Sequence, residues 1–200
     1  MVFHNNHYRR FTFYTALMAR KITAPFTLTE SITFDTADTF VQDTIDCSSY
    51  ISVGSRQALQ VHKVDYVYQS AAGGVVYNAF RGWDTNIAAI GDQAMVEVQL
   101  TDLNRGAIVS ADDSALISSG QLRLTVTGDS HSADLYPDSY KGPEGRTVVN
   151  DQIYFGAQFG PMALDGGAEL ICTVRLECQI VELSTQDWMA IAIQSTAADN

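Results

Sequence analysis

Gly167-Ala-Glu-Leu-Ile-Cys-Thr-Val-Arg-Leu-Glu-Cys-Gln-Ile-Val181 is the stretch that decides the fold. Leu170, Cys172, Val174, Leu176, Cys178 and Ile180 occupy alternate positions, with Glu169, Thr173, Arg175, Glu177 and Gln179 between them. A helix would scatter these residues around its circumference, whereas a strand puts them on opposite faces. The spacing predicts one strand of roughly 35 Å with a dry and a wetter face. A strand of that length needs partners, so the chain is expected to build a sheet around it. Ile171 and Val181 stand on the wetter side near its two ends. Part of that face is therefore expected to be covered, by the N-terminal segment or by a neighbouring subunit.

Working outward, other segments show the same period. Phe26, Leu28, Ile32 and Phe34 alternate with threonines and Ser31, and Glu30 interrupts the apolar side. Residues 35–57 read as a loop with one short strand. In Leu59–Gln69, Val64, Tyr66 and Tyr68 share one face, while Leu59, Val61 and Val67 share the other. Ala71-Ala-Gly-Gly74 is a turn, and Val75–Phe80 returns as the second arm of a hairpin. Ala94, Val96, Val98 and Leu100 form a further strand, as do Leu122, Leu124 and Val126. Residues 101–120 read as loop with a short strand at 107–109, and residues 128–145 as a long polar loop. Arg146–Phe155 reads as one strand with Val149, Ile153 and Phe155 on one face. Ser184, three residues before Asp187, resembles a capping box. Trp188, Ile191 and Ala192 follow at helical spacing, which predicts a short C-terminal helix. About eight strands joined by long, uneven loops predict an all-β fold, a two-sheet antiparallel sandwich of jelly-roll type.

Size and composition fit one domain. The 200 residues are 46% hydrophobic and only 18% charged, which suits a folded core. Charge is unevenly placed. Residues 1–24 carry Arg9, Arg10, Arg20 and Lys21 and no acid, so residues 25–200 hold eight of twelve basic residues and all 23 acids, a balance of −15. The layout is a basic arm over residues 1–24, a sandwich over 25–183 and a helical tail over 184–200. Met18-Ala-Arg-Lys reads like a natural start, and residues 1–17 lack the apolar core of a signal peptide. No apolar run is long enough for a membrane-spanning helix.

The residues that could carry chemistry are few. Cys172 and Cys178 share a strand face at a separation of roughly 20 Å, too far for a disulfide, and read as buried thiols. His62 reads as a surface residue beside Lys63 and Asp65. Ser130-His-Ser-Ala-Asp134 has triad residue types without triad geometry. No nucleophile elbow, phosphate loop or zinc motif occurs, so the chain is not read as an enzyme. No cofactor is expected, although Asp129, Asp134, Asp138 and Glu144 could hold Ca²⁺ in the 129–144 loop. Trp83, Tyr136 and Tyr140 could stack sugars if the chain were instead a carbohydrate-binding or adhesion sandwich.

The acid-free basic arm, the eight strands and the closing run Glu182–Thr196 together resemble the single jelly-roll capsid proteins of tailless icosahedral viruses. The resemblance implies a structural coat protein that self-assembles into an icosahedral shell. It implies a virion location after assembly in the host cytoplasm. The implied partners are further copies, other capsid subunits, and the genome or an internal membrane reached by the arm. The residues expected at such contacts are Arg9, Arg10, Arg20, Lys21, Trp188 and Met189.

Overall fold

The computed structural model describes residues 19–34, 39–77, 93–125, 130–136, 145–160 and 168–197. In chain order these form β1 (Arg20–Lys21), β2 (Phe26–Phe34), β3 (Phe40–Asp46), β4 (Gln57–Ala72) and β5 (Val75–Tyr77). Then follow β6 (Gln93–Thr101), β7 (Leu116–Thr125), β8 (Ser130–Tyr136), β9 (Arg146–Val148), β10 (Gln152–Phe159) and β11 (Ala168–Glu182), with α1 (Thr185–Ala197) last. Eight of the described strands have seven residues or more; β1, β5 and β9 are short additions.

The strands pair antiparallel in two sheets. One runs from β1 and β2 through β11 and β4 to β5 and β9; the other has the order β3-β10-β6-β7-β8. The pairings are nested: β2 with β11, β3 with β10, β4 with β9, and β6 with β7. A chain folded back on itself as one long hairpin and then rolled gives this pattern, because successive strands of each arm pass from sheet to sheet. That is the jelly-roll wrap.

The opening strand is the middle of its sheet. All fifteen residues of β11 pair with β4 between Ala72 and Gln57, and nine of them pair with β2 on the other side. Leu170, Cys172, Val174, Leu176 and Cys178 are fully buried between the sheets. They meet Val96, Val98, Leu100, Ile153, Phe155 and Phe159 from the second sheet. Each such aliphatic or aromatic side chain contributes about 1.5–3 kcal/mol of burial. Aromatic contacts tie the layers: Phe34 meets Phe159 at 6.4 Å and Tyr66 stacks on Phe155 at 6.2 Å. Gly120 of β7 lies close against β4 of the facing sheet. A Cβ there would stand 2.8 Å from the Tyr66 ring and 3.3 Å from Val98.

Four expectations are corrected. In β4, Leu59 and Val61 are not opposite Val64, Tyr66 and Tyr68; all five belong to the central core. The pairing jumps from Glu177↔Lys63 to Cys178↔Val61, so His62 is an extra residue, and this bulge reverses the parity of the strand. The segment 146–155 is two strands in different sheets: β9 pairs with β4 and β10 pairs with β3 and β6. Val149 lies at the crossing and joins a separate cluster with Ala58, Val181, Leu183 and Trp188. Residues 130–136, read as loop, are β8 on the edge of the second sheet. Residues 107–109 are not a strand; instead β7 begins at Leu116 and includes Ser118, Ser119 and Gly120, which carry little hydrophobic signal.

The hairpin after β4 is as expected. Gly73 and Gly74 have φ of 58° and 80°, the twist that two-residue hairpin turns require. The two cysteines on β11 and Cys47 are buried free thiols.

Candidate assembly surfaces

The two terminal segments of the described chain meet at one end of the first sheet, β1 as a strand beside β11 and α1 packed on the sheet. Residues 20 and 21 pair with Glu182 and Val181 of β11. Ile22 N–H continues the ladder to the Ile180 carbonyl at 2.9 Å. Gln179 Nε2 donates to the Thr23 carbonyl, and Ile180 N–H donates to Thr23 Oγ1 at 3.0 Å. His62, half-buried at the bulge, lies 3.3 Å from Gln179 Oε1. Gln179 is buried as a result, although its position on the wetter face left it open to solvent by pattern.

The helix α1 covers the rest of that end. Its start is capped: Asp187 N–H donates to Ser184 Oγ at 3.1 Å, and the Ser184 hydroxyl donates to Asp187 Oδ2 at 2.6 Å. Trp188 is 8% exposed and packs with Ala58, Val149, Val181 and Leu183; Ala19, Ile191 and Ala192 lean on the same cluster. The cover over Val181 is therefore chiefly the chain's own C-terminal helix, with Ala19–Thr23 beside it. The link into α1 is fixed by Arg56. Its Nε donates to the Leu183 carbonyl at 3.1 Å, its Nη2 to Glu182 Oε1 at 3.2 Å, and its own carbonyl accepts from Leu183 N–H at 3.0 Å. Arg56 holds a φ of 55°, a left-handed conformation that costs an L-residue about 1–2 kcal/mol and that these three contacts offset.

The outward side of α1 carries two large apolar residues. Met189 is 56% exposed and Ile193 61%, and a spacing of four puts them on one face. Arg20 is on β1 at the same end of the sheet, 3.8 Å from Glu182 with its own side chain 83% exposed. Of the residues expected at contacts, Arg20, Lys21, Trp188 and Met189 thus come together at this end. The Trp188 ring is buried within its own subunit, whereas Met189 and Ile193 are exposed. Ile193 carried no such expectation, and its four-residue spacing from Met189 was the available signal.

Arg9 and Arg10 lie outside the described residues, as do Trp83, Tyr140, Asp129, Asp138 and Glu144. Tyr136 and Asp134 are on β8, where Tyr136 pairs with Ser119 and Asp134 with Gly120. The described residues contain no group of three His, Cys, Asp or Glu able to hold a metal ion.

At another place the structure holds an ion cluster that sequence reasoning missed. Asp102, with its side chain 3% exposed, lies 3.4 Å from Arg146 Nη2, which also donates to the Ser114 carbonyl at 2.6 Å. Arg105 pairs with Asp113 at 3.0 Å, and Asp113 accepts from Ala115 N–H at 2.8 Å. Asn150 Nδ2 donates to the Asp102 carbonyl at 2.7 Å. Burial pushes the Asp102 carboxyl above the usual carboxylate range, against the pull of Arg146 and Arg105. The pairs come from residues 44 and 8 apart in the chain, so only the first had no local signal. Together they fix the loop between β6 and β7. That loop crosses the outer face of the second sheet, where the Gln99 side-chain amide donates to the Val109 carbonyl at 2.8 Å and accepts from Val109 N–H at 2.7 Å, and Gln42 Nε2 donates to Asn104 Oδ1 at 3.1 Å. A cleft of about 230 Å³ lies beneath it, lined among others by Glu97, Gln99, Val109 and Leu116.

The thiols are inert by environment. Burial raises Cys47 and Cys178 to about 12 and raises Cys172 as well, so all three are protonated at neutral pH.

No protein-family model matches the chain, and no curated protein does. Among solved structures, the VP1 protein of Trichodysplasia spinulosa-associated polyomavirus aligns at 8% identity and a TM-score of 0.38, over 84% of this chain and 100% of that one. A chain of desmodium yellow mottle tymovirus aligns at 9% identity and a TM-score of 0.27, over 92% of this chain and 97% of that one. At such scores the alignments decide nothing about function, and the jelly-roll assignment rests on this chain's own nested strand pairing.

Proposed function

We propose that this chain is a structural coat protein whose copies assemble into a closed icosahedral shell. One observation carries the reading: α1 uses Trp188 to dock on its own sheet and leaves Met189 and Ile193 exposed, at the end of the sheet where β1 brings in the basic Arg20 and Lys21. A helix tied down on one face, with two large apolar residues on the other, is suited to a contact with a neighbouring copy. The rigid sandwich supplies the wall, and the termini supply the joints. Each joint can be weak, because a shell holds every copy by several contacts at once.

The −15 body supports the same reading. Like charge keeps free copies apart at low ionic strength, and salt screens it. In this reading the product is a component of the virion, built in the host cytoplasm. Residues 1–24 then meet the genome, an internal membrane or a neighbouring subunit, and the role is structural rather than catalytic.

The test is sedimentation velocity and negative-stain microscopy of the full chain against a Met189→Lys, Ile193→Lys variant across a salt series. Particles from the parent and dispersed, folded subunits from the variant support the contact. Equal assembly by both places the contact elsewhere.

A further inference from the structure

We propose that Glu30 and Asp43 are gatekeepers: each carboxylate closes the free edge of its strand, so that β2 and β3 do not accept a strand from a second copy of the chain. The two strands are the edges of the two sheets on one side of the sandwich. Among the described residues β2 pairs only with β11, and β3 only with β10.

The direction of each backbone N–H follows from the ladders. Phe159 N–H donates to the Thr39 carbonyl at 3.3 Å and Cys47 N–H to the Asp151 carbonyl at 2.7 Å. The register between β3 and β10 is unbroken, so the odd residues of β3 face β10. Thr44 N–H therefore points away, to the edge. On the other sheet, Ile22 N–H reaches the Ile180 carbonyl, so the even residues of β11 face the β1 and β2 side. The register from Leu170↔Phe34 to Cys178↔Phe26 is also unbroken. The even residues of β2 thus face β11, and Thr27, Thr29, Ser31 and Thr33 turn their N–H groups to the edge.

At the middle of each edge the outward N–H is taken by the preceding acid. Ser31 N–H donates to Glu30 Oε1 at 3.1 Å, and Thr44 N–H donates to Asp43 Oδ1 at 2.7 Å. Each carboxylate removes a donor that an incoming strand would need and puts a negative charge in its path. Glu30 is also the charge that breaks the inward series Phe26, Leu28, Ile32 and Phe34. An inward-facing charge on an edge strand is a known way to stop edge-to-edge pairing. The need is plain in the sequence. FTLTESITF holds no Lys or Pro and is rich in threonine and aromatic residues, so without Glu30 it would be a nine-residue template for another strand. The inference stands whether or not the chain forms a shell.

The experiment compares full-length parent, E30T/D43T and E30Q/D43N by sedimentation velocity and amide exchange at low ionic strength. The amide oxygens of the second variant can still accept from Ser31 and Thr44; threonine at 30 and 43 cannot cap the edge in this way. The expected result is that E30T/D43T sediments as a dimer or larger, with the Thr29, Ser31 and Thr44 amides exchanging roughly tenfold slower or more. E30Q/D43N sediments like the parent. Two results overturn the proposal: E30T/D43T sediments like the parent, or it associates without protecting those amides; association of E30Q/D43N as well would support it, with charge rather than capping as the barrier. Protection of the same amides when the parent itself assembles would also overturn it. Should E30T/D43T lose its fold, each single threonine replacement is judged by the same results.

Discussion

Replacing Trp188 by alanine tests how the C-terminal helix is held. Trp188 is the largest member of a cluster of five buried residues and is 8% exposed. Truncating a buried tryptophan costs about 3–5 kcal/mol. The lower end applies here, because the cluster lies on an outer face where water can enter the space left behind. The central core shares none of these five residues, so the sandwich remains folded. A helix of thirteen residues is marginal by itself in water, and without the indole its hold among the described residues is reduced chiefly to Ile191, Ala192 and the Ser184 cap. The expected outcome is a loss of about 3 kcal/mol in urea unfolding, with rapid amide exchange across 185–197 and unchanged exchange in β11 and β4. Trp188→Phe keeps most of the contact and loses about 1 kcal/mol. If Trp188→Ala costs under about 1 kcal/mol and residues 185–197 stay protected, the reasoning is refuted, because something other than the indole anchors the helix.

Three further predictions concern the interior. Gly120→Ala puts a methyl group 2.8 Å from the Tyr66 ring and is expected to cost about 1–3 kcal/mol; urea unfolding of the variant measures it, and an unchanged midpoint contradicts the close approach of the sheets. Asp102 has a raised folded-state pKa, so the native chain takes up its proton first as pH falls. Its contribution to stability is fully present below the ordinary carboxylate pKa of about 3.9 and is lost as pH rises through the raised value. The stability of the parent relative to Asp102→Asn should therefore rise as pH is lowered from 7 toward 4, and a flat or falling difference contradicts the assignment. The thiols of Cys47, Cys172 and Cys178 are buried and protonated, so a thiol-specific reagent should react slowly with the native chain and with all three in urea; fast native labelling would contradict the packing.

Much of the layout was legible because alternation reports burial on one face. β2, β6 and β11 each pack one face on the core, and their periods are clean. β4 misled the pattern because one extra residue, His62, reverses parity in mid-strand without any mark in composition. The break between β9 and β10 was hidden for a related reason: Val149 is apolar and buried, but in the second cluster rather than the first. β7 runs early through Ser118, Ser119 and Gly120, which are buried because the sheets and the covering loop crowd them, not because they are hydrophobic. At the assembly surface the capping pattern at Ser184 placed α1 correctly. The helical spacing of Trp188, Ile191 and Ala192 marked the side of α1 that packs inward; what the sequence did not show was the surface it packs on, since Ala58 and Val149 are both distant in the chain. The pair Asp102–Arg146 was illegible for the same reason, its partners being brought together only by the wrap.

The central claim is that this jelly roll exists to be assembled. The most direct measurement is sedimentation velocity of the full chain from low to high salt, with the fast-sedimenting fraction imaged by negative stain. The account predicts dispersed subunits at low salt and closed, uniform particles as the charge of the body is screened. A chain that stays monomeric across salt, Ca²⁺ and concentration would contradict it.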